Sequence, residues 1–251
     1  MPISITAART PLRFLLVVVT AMALQACTST PSPTQPPTAD FVFVTLKTGP
    51  KSASQTPEQS QRIFQGHMAN MHRLAELGRL VVAGPFDKPH DKSWRGIFVI
   101  DVPTVDLARA LVATDPGVMA EVFTPEFVPM HASPTLRQTL ELERLQNAAA
   151  AASNVKPDPS LPPPNIRGYV MVTANDAAKA RKAIAASTYS TKVVWCGTFD
   201  APRRGAGVII LDADKTADVE AALSKLDPGP CSIDGWWSTT SLVKLPVEAR
   251  Q

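Results

Sequence analysis

A repeat within the chain limits its fold more than any other feature of the sequence. Three segments of the first half return in the second half, in the same order and at similar spacing: residues 81–89 as 193–202, 96–101 as 207–212, and 114–117 as 226–229. Such self-similarity indicates a duplicated structural unit. With 251 residues, the chain is long enough for two units that each bury a core of ordinary size.

Each copy has the pattern of an α+β unit: strand, helix, strand, strand, helix, strand. In the first copy, Thr56 and Pro57 followed by Gln59 form a helix start with a capping box, and Gly78 is typical of a helix end. Runs rich in Val, Ile and Phe on either side predict the strands. We therefore expect modules at residues 39–132 and 165–246. Residues 133–164 between them contain a predicted helix and a proline-rich linker.

The beginning of the chain is typical of an exported protein. Arg9 and Arg13 precede an apolar run at residues 14–24, which is too short to span a bilayer but has the length of a signal-peptide core. The segment from Leu24 to Cys27 then resembles the lipobox of bacterial lipoproteins, in which the cysteine is lipidated. An ordinary secretory signal that ends by chance at a cysteine is the alternative.

The lipobox resemblance implies how the chain is held at the membrane. It predicts a signal peptide over residues 1–26, lipidation of Cys27, and an extended Pro/Thr-rich tether over residues 27–38. Thr28 follows the cysteine in place of the aspartate that often retains lipoproteins in the inner membrane. We therefore expect a lipid-anchored protein on the periplasmic side of the cell envelope, with the outer membrane favoured over the inner one.

Charge and cysteine content restrict the remaining function classes. Arg9 and Arg13 fall in the leader, which leaves 23 of the 25 basic residues against 22 acidic ones, so nucleic acid is not an expected partner. With Cys27 lipidated, Cys196 and Cys231 remain, and an even number in an oxidising compartment favours a disulfide between them. Two separate buried thiols are the alternative.

Residues 41–131 resemble the YCII-related family of small dimeric proteins. The residues that carry the resemblance are His67 to Met71, then the segment from Gly78 through Gly84-Pro85-Phe86, and then Ala110 to Pro116. The resemblance implies a ferredoxin-like βαββαβ fold for each module. It also implies that the two copies pair within one chain as a pseudo-dimer of the dimeric α+β barrel type, or that the chain forms a homo-oligomer.

The same resemblance implies a cleft with a His–Asp pair, which falls here on His67 and Asp115. A carboxylate on one imidazole nitrogen fixes the tautomer and supports general-base chemistry at the other nitrogen. Both residues also have a purely structural interpretation. His67 lies on the apolar stripe of its helix, where a core histidine would sit, and Asp115-Pro116 could serve only to end a helix.

The second copy departs from this pattern. The position that corresponds to His67 falls near Ala180 and Arg181, with no histidine nearby, and Asp227 is expected to lack a partner. We therefore expect the second module to be a degenerate scaffold. No metal site is expected either, because His67 and His72 are five residues apart on a helix, and His90 lies in a turn with solvated aspartates.

Two functions remain open at this stage, and the sequence indicates no cofactor for either. The first is a membrane-anchored envelope lipoprotein whose YCII-like module binds a small molecule. The second is an enzyme of the lyase or isomerase type, with His67 as general base and Asp115 orienting it. Its substrate would be a small lactone or a hydroxylated or chlorinated aromatic intermediate, as for the few members of the family with an assigned reaction.

Overall fold

The structure, a computed structural model, describes residues 39–153 and 163–250. The predicted signal peptide, Cys27 and the whole tether lie outside the described residues, as does most of the proline-rich linker. In chain order the elements are β1 Ala39–Thr48, α1 Pro57–Glu76, β2 Leu80–Asp87, β3 Trp94–Ile100, α2 Val105–Val112, α3 Pro116–Met119, β4 Phe123–Ala132, α4 Gln138–Ala152, β5 Ile166–Ala174, α5 Ala177–Ala185, β6 Val193–Phe199, β7 Gly207–Leu211, α6 Thr216–Leu223 and β8 Cys231–Thr239.

The eight strands close into one antiparallel barrel. Their order around it is β1-β3-β2-β8-β5-β7-β6-β4, with β4 beside β1. The prediction of a mixed α+β fold is confirmed, and so is the barrel. Each half of the chain contributes four adjacent strands in the same relative order, β4-β1-β3-β2 and β8-β5-β7-β6.

Helix α1 begins and ends as its sequence predicts. The Thr56 hydroxyl accepts a hydrogen bond from the backbone N–H of Gln59, and the Gln59 side chain accepts one from the backbone N–H of Thr56. This capping box satisfies two backbone donors at the helix start. At the other end, Gly78 adopts a φ of +70°, a conformation that favours glycine. These local signals fix the length of the helix that carries His67.

The strands separate an interior core from two outer cores. Large side chains such as Phe41, Trp195 and Trp236 fill the barrel interior. Alternate residues point outward, where Val44, Phe98 and their neighbours pack under α1 and α2. A third cluster lies under α5 and α6 on the second half. Within residues 39–153 and 163–250, no helix has the length and apolarity that a bilayer span requires.

Two seams join the half-chains, β4–β6 and β2–β8. Only Phe86 and Asp87 of β2 pair in register with β8. Closer to the start of β2, side chains of β8 donate hydrogen bonds to backbone oxygens of β2. The Trp236 indole N–H donates to the Gly84 oxygen at 3.0 Å, and the Ser238 hydroxyl donates to the Ala83 oxygen at 2.7 Å. The strands approach closely at Gly84, where a Cβ atom would overlap the carbonyl oxygen of Trp237.

Gly84→Ala tests how much the fold depends on the β2–β8 seam. The added methyl meets backbone rather than a flexible side chain, so we expect a loss of about 1–3 kcal/mol in the free energy of unfolding. Gly168→Ala on β5 is the matched control: nothing lies within 4 Å of its Cβ, so the change should stay within about 0.5 kcal/mol. Urea unfolding followed by circular dichroism measures both.

The same unfolding curves report on the coupling between the halves. Because both seams join them, wild type should unfold in a single transition, and Gly84→Ala should shift that whole transition. Two separate transitions, with only one of them shifted, would contradict coupling through the seams.

Candidate functional site

Helix α1 presents His67 to the outer face of the barrel strands rather than to solvent. His67, Asn70 and Leu74 are its buried residues, and their spacing places them along one face. The His67 ring lies nearly parallel to the Phe98 ring, with centroids 5.8 Å apart, and its centroid is 5.2 Å from that of Phe123. Aromatic contacts on two sides hold the imidazole in one orientation.

Asp115 is fully buried and meets His67 directly. It is the N-cap of α3, and its Oδ1 accepts a hydrogen bond from the backbone N–H of Gly117 at 2.8 Å. Its Oδ2 lies 2.7 Å from Nδ1 of His67 and also accepts from the Asn70 side-chain amide at 3.3 Å. The structure thus brings together the two residues that the sequence analysis singled out. Asp115 caps a helix and contacts the imidazole at once.

The contacts of Asp115 keep it ionised. Burial raises the pKa of this carboxyl. The hydrogen bond and charge of His67, followed by the N–H donors of Gly117 and Asn70, lower the pKa by a larger amount. The net pKa therefore lies below the usual carboxyl range. An ionised carboxylate only accepts hydrogen bonds, so Nδ1 of His67 is the donor in this contact. The other ring nitrogen, Nε2, has no hydrogen-bond partner among the described residues.

Asn70 is a member of this site that the sequence analysis missed. Its side-chain oxygen accepts a hydrogen bond from Arg73 at 2.8 Å, which turns its amide nitrogen toward Asp115. Thr114 also donates to this oxygen, at 3.1 Å. Asn70 lies three residues after His67 on the same helix face, and that spacing was the signal available in the sequence.

A cavity of about 680 Å³ opens beside the imidazole. This volume falls in the range of small-molecule sites. Apolar and aromatic groups dominate the walls, and the lining residues include His67, Ala83, Arg95, Phe98, Trp237 and Ser238. Because Nδ1 of His67 is committed to Asp115, Nε2 is the ring nitrogen available to a molecule in the cavity.

Both halves of the chain line this cavity. Helix α1 and strands β2 and β3 supply most of the wall. The second half contributes Ile166 of β5 and Trp237 and Ser238 of β8. The cavity lies at the β2–β8 seam, where side-chain hydrogen bonds replace the regular ladder. The site is therefore incomplete without the second half of the chain.

The corresponding place in the second half holds a different pair, which corrects the expectation that Asp227 lacks a partner. The ammonium of Lys179 lies 2.8 Å from the Asp227 carboxylate, and the two are 48 residues apart, as His67 and Asp115 are. The Asp227 side chain is 81% exposed, whereas that of Asp115 is inaccessible. Lys179 thus occupies the position equivalent to His67, in a solvated ion pair.

The expected disulfide between Cys196 and Cys231 does not form, which is a correction to the sequence analysis. Both thiols are free. Cys196 lies on β6 and Cys231 on β8, with β7 and β5 between them, so the spacing is on the order of 12–14 Å. A disulfide requires Cα atoms within roughly 7 Å. Burial raises the pKa of both thiols and keeps them protonated.

His90 has a partner that the sequence did not reveal. Its Nδ1 lies 2.9 Å from both carboxylate oxygens of Asp234, a buried residue of β8, and its backbone N–H donates to the same carboxylate at 2.7 Å. This contact ties the β2–β3 loop of the first half to the second half. Within the described ranges, no group of three or more His, Cys, Asp or Glu side chains is placed to hold a metal ion.

Comparison with known proteins identifies the part of the chain that carries the site. Residues 41–128 match the profile of the YCII-related domain. The first half therefore contains a YCII-related domain. Both His67 and Asp115 lie within it. A search of curated proteins found no significant match to the chain.

Solved structures share parts of the backbone arrangement with this chain. A chlorite dismutase variant from Candidatus Nitrospira defluvii is 10% identical, with a TM-score of 0.48, over 82% of this chain and 93% of that one. The siroheme decarboxylase NirDL is 9% identical, with a TM-score of 0.40, over 84% of this chain and 74% of that one.

Asp115→Asn tests the electrostatics of the pair. A carboxyl whose pKa is lowered on folding stabilises the native state above its unfolded pKa of about 4, and this contribution is lost as pH falls through the lower folded pKa. We expect the variant to lose about 1–3 kcal/mol at neutral pH. Its stability should also fall less than that of wild type on acidification, which urea unfolding at stepped pH values measures.

Asp227→Asn is the matched control for this experiment. Asp227 occupies the equivalent position in the second half but is solvated, so removing its charge should leave the acid dependence of wild type largely in place. An equal response from the two variants would show that burial beside His67 gives Asp115 no special role.

Proposed function

We propose that this chain is a membrane-anchored envelope lipoprotein whose folded part binds a small, mostly apolar molecule beside His67. The observation that carries the proposal is the imidazole itself. A buried, ionised Asp115 holds its Nδ1, while Nε2 is available to a cavity of about 680 Å³ with predominantly apolar walls. An imidazole oriented in this way offers one hydrogen-bonding group of defined tautomer in an otherwise apolar space.

General-base catalysis is the second candidate, and the unpartnered Nε2 favours it. Nε2 can take a proton from a carbon next to a carbonyl, while the electron pair of the broken C–H bond moves into an enolate. Asp115 then stabilises the imidazolium that forms. Such a step would serve an isomerase or lyase that acts on a small lactone or on a hydroxylated or chlorinated aromatic intermediate.

A single probe, 2-tetralone, separates binding from catalysis, because it is a small aromatic ketone with exchangeable C–H groups next to its carbonyl. Wild type should bind it, as detected by quenching of Trp237 fluorescence. Ala83→Phe fills the cavity and should abolish binding, whereas Ala151→Phe, on the exposed surface of α4, should not. Equal binding by both variants would contradict the cavity as the binding site.

Proton exchange into 2-tetralone in deuterated buffer then tests the base. If Nε2 abstracts the proton, His67→Gln should bind the probe with similar affinity but exchange about 10²–10⁴-fold more slowly than wild type. Exchange by wild type at the buffer rate would eliminate general-base chemistry and leave the binding function in place.

We also propose that the fold is an intrachain pseudo-dimer of two ferredoxin-like βαββαβ modules, at residues 39–132 and 165–246. The shared strand order of the two halves supports this, and so do the two seams through which each half pairs with the other. In this interpretation the second module has lost its own His–Asp pair but still supplies one wall of the first module's site. The homo-oligomer, which was the other expectation, stays a prediction.

The membrane anchor rests on the lipobox at Leu24–Cys27, which lies outside the described residues. A multiply acylated cysteine would hold the protein at the membrane, and the tether would separate the barrel from the lipid surface. The chain should therefore incorporate radioactive palmitate and sediment with the outer membrane. Cys27→Ser should abolish labelling, whereas Cys231→Ser, the control, should not. Labelling that persists in Cys27→Ser would contradict the anchor.

A further inference from the structure

We propose that the cavity selects a ligand with one anionic group, and that Arg95 is the residue that binds this group. The inference rests on the proposed binding function and deepens it, because it names the class of ligand: a compact aromatic or alicyclic carboxylate. It starts from the charges of the cavity wall. Arg95 is the one lining residue with a permanent charge among the described residues, and none of those lining residues is an aspartate or glutamate.

Arg95 has no acidic partner among the described residues, and it is the arginine that lines the cavity. Several others pair with carboxylates: Arg137 with Asp101, Arg144 with Glu141, Arg167 with Asp212, and Arg204 with Asp200. The guanidinium of Arg95 instead donates through Nε to the Thr48 hydroxyl at 2.7 Å. Its two terminal nitrogens therefore keep their donors for another acceptor.

Thr48 orients this guanidinium. The Thr48 hydroxyl donates to the Ser93 carbonyl oxygen at 3.1 Å, and the Thr48 backbone N–H donates to the same oxygen at 2.7 Å. With its own proton committed, the hydroxyl can only accept from Arg95. A guanidinium held at Nε presents its terminal nitrogens as a fork, a geometry that suits the two oxygens of a carboxylate.

The negatively charged carboxylate of Asp115, which contacts His67, does not itself line the cavity. Its oxygens are taken up by the imidazole, the Gly117 N–H and the Asn70 amide. An anion in the cavity therefore meets Arg95 and the imidazole before any carboxylate. The rings of Phe98 and Trp237 offer the remaining surface to an apolar, preferably aromatic body. A ring system with one acid group satisfies both parts of the wall.

Binding of 2-naphthoate and of its neutral isostere 2-naphthamide tests the proposal by isothermal titration calorimetry at pH 7. Wild type should bind naphthoate about tenfold more tightly than naphthamide, as a charge-assisted pair implies. Arg95→Gln should remove this preference by weakening naphthoate alone. Thr48→Val keeps the charge but loses the orienting contact, and should give an intermediate preference. Arg62→Gln, an exposed position outside the cavity wall, should behave as wild type.

The outcomes separate this proposal from the one on which it rests. Equal binding of the two probes by wild type, or a preference that survives Arg95→Gln, would overturn the role of Arg95 while leaving a small-molecule site in the cavity. A failure of wild type to bind either probe would count against both the anion preference and the proposed binding function.

Discussion

Closure of the barrel is the constraint on which the rest of this structure depends. A four-stranded sheet made by either half alone would leave two edges of unpaired backbone groups, which cost free energy when they are buried and invite aggregation when they are exposed. The two seams remove all four edges at once. The β2–β8 seam does so with few ladder bonds, so the Trp236 and Ser238 side chains complete the backbone pairing.

This substitution of side chains for ladder bonds also explains where the cavity lies. Regular pairing between β2 and β8 is limited to Phe86 and Asp87. Closer to the start of β2, at Ala83 and Gly84, the strands are held by hydrogen bonds from β8 side chains. The cavity lies beside this stretch, under α1. One local irregularity thus stabilises the closed barrel and places a wall of the second half next to His67.

The sequence predicted the local helix signals and the His67–Asp115 pair. It did not predict the contacts that depend on closure of the barrel. The capping box at Thr56 follows from residue types at short range, whereas the pairing of His67 with Asp115 was implied by the resemblance to the YCII-related family, which three ordered blocks within one module carry. The expected disulfide failed because counting cysteines says nothing about which strands separate them. Asn70 went unnoticed because its spacing of three residues from His67 is common on helices and gains a meaning only when the Asp115 partner is in place.

Contacts between the two halves could not be predicted from the sequence for a related reason. No periodicity in the loop around His90 indicates that Asp234, far along the chain, will bind it, because only the closed barrel brings the two together.

Under the proposed duplication, the His–Asp position of the first half and its equivalent in the second half can diverge once both halves share a single barrel. In the first half the pair is buried, its carboxylate accepts from three donors (His67, Asn70 and the Gly117 N–H), and one imidazole nitrogen remains available. In the second half Lys179 and Asp227 form an exposed ion pair, which imposes little on its surroundings. Because the strand β8 must still pair with β2, the second half keeps Trp237 and Ser238 in the wall of the cavity without a buried His–Asp pair of its own. Under the proposed binding function, selection on one site and on barrel closure would be enough to maintain both halves, even though only one of them has the imidazole.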